Sequence, residues 1–194
     1  STKYFEDANT LFEIPNNIFQ THEEFQWFID SPYLIHWFSQ NCVETSHPKL
    51  SQIPIGLDYH TIYCNQNHEW GPNQSPVNQE RELENIKHDS LPFWDRTPKG
   101  YCNFHFLMNT AYGYDRTDAI NQIPKELVYY EPEKIPRKET WTKQSQYAFV
   151  ISPHGNGLDC HRTWEALALG CIPIVKTSPL DPLFKGLPIL IVES

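Results

Sequence analysis

From Lys99 onward the chain alternates short apolar runs with helix-forming ones. Strand-like "GYCNFHFLM" (100–108) precedes helical "DRTDAINQI" (115–123), and strands "ELVYY" (126–130) and "YAFVIS" (147–152) follow. Helix "CHRTWEALAL" (160–169) and strands "IPIV" (172–175) and "LPILIV" (187–192) complete the series. Alternating strands and helices imply parallel strand pairing through right-handed crossovers. The expected class is α/β, a Rossmann-like open parallel sheet flanked by helices. In such sheets ligands lie at the carboxyl ends of the strands, so the loops after strands are where function is sought.

The first half of the chain reads differently. "FQWFIDSPYLIHWFSQN" (25–41) suggests a helix followed by a strand or second helix, and "KLSQIPIGLDYH" (49–60) a short strand ending at Gly56. "SPVNQERELENIKHD" (75–89) reads as a solvated helix, with Ser75 as its cap and Pro76 in its first position. Two units are expected: residues 1–50 as a small N-terminal lobe and 51–194 as the α/β domain.

With 39% hydrophobic and 20% charged residues, the chain has enough apolar content to fold as a globule. A net charge of −9 argues against a broad nucleic-acid surface, so any anionic ligand must be held locally. No run approaches the roughly 20 apolar residues of a membrane span, and the N-terminus lacks a signal-peptide pattern. A cytoplasmic protein is expected, with the Golgi lumen the alternative if a leader or anchor has been removed. The five cysteines are widely spaced with no CxxC pair and read as reduced thiols; Asn73-Gln74-Ser75 is a lone glycosylation sequon.

The most informative segment is "SPHGNGLDCHRTWEALALGCIPIV" (152–175). "PHGNGLD" is the loop at the carboxyl end of a buried-type strand. Asp159 or Cys160 starts the next helix, Asp being the better cap, and Gly170 stops it. Amides at Gly155, Asn156 and Gly157, together with free N–H groups at the helix start, suit a negative charge. Arg162 in the first turn can make paired hydrogen bonds to phosphate oxygens, and Glu165, three residues on, can accept from ribose hydroxyls. The bland alternative is a solvated Arg162–Glu165 pair on an exposed face. Neither a GxGxxG fingerprint nor a GxxxxGK[ST] loop is present.

"YAFVISPHGNGLDCHRTWEALALGCIPIV" resembles the exostosin-like group of GT-B glycosyltransferases, in its strand, Pro-x-Gly turn, Arg, Glu-Ala-Leu and Gly-Cys-Ile-Pro-Val. "KLSQIPIGLDYHTI" is similar to the Ile-Pro-x-Gly-x-Asp segment that opens the donor domain in such enzymes, and "KGYCNFHFLMNTAYGYDRTDAI" to the strand, loop and Arg-initiated helix that follow. The resemblance implies a GT-B donor domain moving a sugar from a nucleoside-diphosphate sugar to a hydroxyl of a glycan or glycoprotein acceptor, with inversion. It implies Arg116 and Arg162 on the diphosphate, Glu165 on the ribose, and Ser152, His154, Gly155, Asn156 and Gly157 along the sugar-phosphate. About 50 residues precede the Ile-Pro-Ile-Gly segment, which implies a reduced acceptor lobe, and the chain stops after "LPILIV" where such enzymes continue.

No Asp-x-Asp pair occurs, so transfer is expected to need no metal and no cofactor beyond the donor substrate. Asp58, His60 and His154 are the candidates for the base that deprotonates the acceptor. A zinc reading would gather Cys102, His105, Cys160 and His161, whose spacing fits no recurrent pattern. Trp27, Tyr33, Trp37, Trp70 and Trp94 could stack on sugar rings or pack in cores and interfaces. The rival reading from another class is a non-catalytic nucleotide- or glycan-binding module.

Overall fold

The computed structural model describes residues 3–4, 13–14, 19, 21–43 and 46–193, so part of the expected 1–50 lobe lies outside the described residues. Helix α1 (His22–Ile29) starts at Thr21, whose side chain accepts from the Glu24 amide. It packs Phe25 and Ile29 with Cys42 and Leu50 into a small apolar cluster. Strands β1 (Trp37–Ser39) and β2 (Leu50–Gln52) pair in parallel beside it. Beyond β2 the chain turns at Gly56, whose φ of 69° favours a residue without a side chain. It then forms helix α2 (His60–Cys64) and helix α3 (Pro76–Asp89). Ser75 caps α3 and Pro76 occupies its first turn, as the sequence implies.

Five parallel strands form the main sheet. They are β3 (Thr97–Cys102), β4 (Val128–Tyr130), β5 (Tyr147–Ile151), β6 (Ile172–Lys176) and β7 (Leu190–Val192). Helices α4 (Gly113–Gln122), α5 (Arg137–Gln144) and α6 (His161–Ala168) supply the first three crossovers. The spatial order is β7-β6-β5-β3-β4. The α/β class and parallel sheet flanked by helices therefore stand as read from the alternation.

Period-two alternation sends neighbouring residues to opposite faces. Tyr101 and Val150 join Leu83 of α3, Trp141 of α5 and Ala166 of α6 on one side. Cys102 and Ile151 pack with Phe104, Val128 and residues of α4 on the other. Helices thus cover both faces. Because the chain runs from β3 outward to β4, then returns to the other side of β3 for β5, the direction reverses between β3 and β5. A crevice opens at the carboxyl ends of two such strands, where the loops diverge. Among the described residues, no helix is long and apolar enough to cross a membrane.

Several elements differ in extent from the sequence reading. The strand from Gly100 ends at Cys102, and Phe104–Phe106 forms a 3-10 turn that buries Phe104. Helix α5 carries no apolar periodicity in the sequence, since "RKETWTKQ" contains a single large apolar residue, Trp141.

Candidate functional site

A cavity of about 980 Å³ occupies the crevice. It is walled by the loops after β3 and β5, the start of α6, one face of α5 and residues 37–41 and 53–58. Arg116, Gly155, Asn156, Gly157, Arg162 and Glu165, six of the residues nominated for the donor, all line it, as does Asp58. Ser152 and His154 do not.

The reason for those two exceptions is the local backbone. Ser152 continues the strand, its amide bonding the Ile174 carbonyl, and its hydroxyl faces Thr163 Oγ1 at 2.8 Å, tying sheet to helix. His154 is buried, with Nδ1 2.6 Å from Asp115 Oδ2. Lys176 Nζ donates to the other Asp115 oxygen at 2.7 Å. His154, expected as a base or donor contact, is instead part of a closed charge network.

On the cavity side of the same loop the charges are uncompensated. Arg116 is 5% exposed, and its Nε donates to the His154 carbonyl and its Nη1 to the carbonyls of Phe104 and Leu107. Carbonyl oxygens are dipoles, not counter-ions. Burial first, and then Arg162, push the Arg116 pKa down to about 10. Arg162 reaches the Pro153 carbonyl at 3.5 Å and lies over the Phe104 ring. Neither guanidinium forms an ion pair with a described residue, so the solvated Arg162–Glu165 pair does not exist here. Buried cations without acids are costly unless a ligand supplies the negative charge.

The glycines matter for space. A Cβ on Gly155 would stand 2.5 Å from Arg116 Nη2, and one on Gly157 2.7 Å from Asn41 Oδ1. The Gly155 amide bonds the Gly157 carbonyl, so it is turned into the loop and not to the cavity. The amide cradle is accordingly smaller than the sequence suggested, and the two guanidiniums carry more of the positive field. No side chain caps α6 at Cys160. Asp159, the expected cap, accepts from the Ile55 amide and Trp164 Nε1, both at 2.7 Å, which fastens the 53–58 wall to the helix. The Asp159 amide is met by Asn41 Oδ1 at 2.7 Å.

Glu165 touches solvent through the cavity but is otherwise enclosed by protein. That desolvation raises its pKa, while Arg137, His161 and the Trp141 indole work in the other direction. The indole N–H lies close to it without a bond of normal geometry. Arg137, at the first position of α5, is 6% exposed and donates to the Asp58 carbonyl and Gln79 Oε1. Its guanidinium lies 4.7 Å from the Trp141 ring. Gln144 is 1% exposed, lines the cavity, and its Nε2 has no partner among the described residues. Sequence reasoning missed Arg137, Gln144 and Asn41; only the placement of α5 and of residue 41 brings them in.

Asp58 and His60, weighed as separate bases, are in contact. His60 Nδ1 lies 3.0 Å from Asp58 Oδ1, and Asp58 also accepts from the Thr61 amide and hydroxyl. Burial alone would raise the Asp58 pKa, but those Thr61 bonds, with His161 and His60 nearby, hold it below the ordinary value. His161, the first residue of α6, has its ring 5.9 Å from that of His60. The zinc set Cys102, His105, Cys160 and His161 is not assembled among the described residues; the group that does come together is Asp58, His60 and His161.

Of the five aromatics considered for stacking, the half-buried Trp37 and the exposed Trp70 line the cavity. Trp27, Tyr33 and Trp94 stand in solvent at 79%, 94% and 89% exposure. All five cysteines are present as thiols; burial raises the Cys102, Cys160 and Cys171 thiols, which leaves them poor nucleophiles. No protein-family model matches the chain, and no curated protein matches it.

Proposed function

We propose that the chain is the donor-binding part of an exostosin-like GT-B glycosyltransferase, moving a sugar from a nucleoside-diphosphate sugar to a hydroxyl of a glycan acceptor with inversion. One observation carries this reading: two guanidiniums without acid partners face a cavity that also holds a desolvated carboxylate. Arg162 and Arg116 meet the diphosphate, and their positive charge stabilises the leaving group as its charge grows, without a metal. Glu165 accepts from the ribose hydroxyls, and the unpartnered Gln144 amide donates to the nucleoside. The apolar wall formed by Trp37, Phe38 and Ile55 offers the base a flat surface. The α1, β1 and β2 segment is the reduced acceptor-side lobe, and Asn41 is its contact with the phosphate loop. His60, oriented by Asp58, takes the acceptor proton.

A binding module without turnover is the second reading. It is favoured by the Asp58 carboxylate, both oxygens of which are engaged in capping Thr61. Incubation with a panel of nucleoside-diphosphate sugars and glycan acceptors, with and without chelator, separates the two. Released nucleoside diphosphate that persists in chelator supports the transferase. Nucleotide or glycan binding with no release on any acceptor supports the module, and binding of neither overturns both.

A further inference from the structure

The cavity's Asp58 wall contains a constellation that donor binding does not explain. Asp58 and His60 lie at the start of α2, and His161 opens α6, about a hundred residues further along the chain. Each offers one ligand atom, and these atoms all lie within 4.8 Å of one another. We propose that Asp58, His60 and His161 bind one divalent transition-metal ion of the zinc, cobalt or nickel class, linking the segment after β2 to the first residue of α6.

The donor set selects the ion. Two imidazoles and one carboxylate suit borderline cations, whereas Mg²⁺ and Ca²⁺ prefer oxygen alone. In a tetrahedral site with bonds of about 2.1 Å, ligand atoms stand about 3.4 Å apart. The Asp58–His60 contact, at 3.0 Å, is shorter than that spacing, and His60, 70% exposed, has room to widen it. His161 is held from behind, its Nδ1 lying 2.8 Å from the Gly56 carbonyl oxygen. A carbonyl only accepts, so Nδ1 carries the proton and Nε2 the lone pair, which is how metal-binding imidazoles are commonly oriented. Asp58 is likewise fixed by Thr61, and each ionised oxygen has more than one lone pair. The ion takes the place of the proton between His60 and Asp58 while the imidazole shifts to its other tautomer, with no change of oxidation state. Three protein ligands leave at least one position for water or a ligand oxygen.

A consequence rests on the transferase reading: ion and acceptor proton compete for His60, so the bound ion slows transfer and a chelator restores it. The binding itself does not depend on that reading. The test is titration of chelator-stripped protein with Co²⁺, followed by visible absorption. The expected result is saturation at one equivalent with an intense low-symmetry spectrum, displaced by Zn²⁺. His60→Ala and His161→Ala each weaken binding by about tenfold or more, with unchanged circular dichroism. His88→Ala, in the exposed His88–Asp89 pair, leaves it unchanged. A spectrum of hydrated Co²⁺ alone, or equal binding by the double His60→Ala/His161→Ala variant, overturns the proposal. Stoichiometric Co²⁺ binding beside a complete lack of transfer by the chelator-stripped, metal-free protein upholds the metal site and removes the transferase reading.

Discussion

Two charge clusters flank the loop after β5, and they are built in opposite ways. Outside the cavity, His154, Asp115 and Lys176 form a closed set in which the acid meets a partner at each oxygen. Inside it, Arg116 and Arg162 face each other across the loop with carbonyl dipoles but no acid. The first arrangement contributes to stability because its desolvated charges are balanced. The second costs stability, and that cost is offset only when an anion arrives. The difference separates architecture from binding at positions that sequence alone treats alike, since His154 and Gly155 are neighbours.

The contrast makes graded predictions. The largest effect is on Asp115: Asp115→Ala leaves the buried His154 without its acid and Lys176 with only the longer Asp118 contact at 3.8 Å, and urea denaturation should show a loss of about 3 kcal/mol. A near-zero loss would mean that the closed cluster is not structural. Next, Arg162→Ala removes a charge-assisted contact worth about 2 kcal/mol. Nucleoside-diphosphate affinity should therefore fall about thirtyfold, with stability equal to or above wild type because repulsion of Arg116 is relieved.

Glu165→Gln should weaken nucleoside diphosphates by about tenfold and stabilise the free protein at neutral pH. The sign follows from the raised pKa. The folded state binds the proton more tightly than the unfolded one, so wild-type stability is highest below the ordinary glutamate value and falls as pH rises through the folded value. The advantage of Glu165→Gln should therefore vanish in acid and grow toward neutrality, as compared by urea melts at several pH values. The smallest effect belongs to Gly155→Ala. Its methyl must push aside Nη2 of Arg116, the guanidinium nitrogen not bonded to a carbonyl, and affinity should drop a few-fold, about 1 kcal/mol, with the fold intact by circular dichroism.

Much of this architecture was legible. The β3 to β7 alternation gave the sheet, Ser75 and Pro76 gave the start of α3, and Gly170 at φ 77° gave the end of α6. What escaped depended on long-range placement. "RKETWTKQ" lacks apolar periodicity, and α5 is anchored by Trp141 and by Arg137, whose partners Asp58 and Gln79 lie 79 and 58 residues away. Neither partner marks its role in the sequence. The span of β3 was overestimated because "NFHF" continues its apolar character while the chain turns to bury Phe104. In the sequence, Gly155 and Gly157 look like turn formers with exposed amides. A Cβ at either would crowd the end of the Arg116 or Asn41 side chain, which no local pattern encodes.

The most direct test of an unpaired cation site awaiting a diphosphate is calorimetric titration of wild type and Arg162→Ala with a nucleoside diphosphate, the free nucleoside and inorganic pyrophosphate, paired with thermal melts. Wild type should bind the diphosphate more tightly than either fragment and melt about 5–10 °C higher at a hundredfold excess over Kd. Arg162→Ala should lose most of that shift. Equal affinity of the two proteins, or no heat and no shift with any of the three ligands, would contradict it.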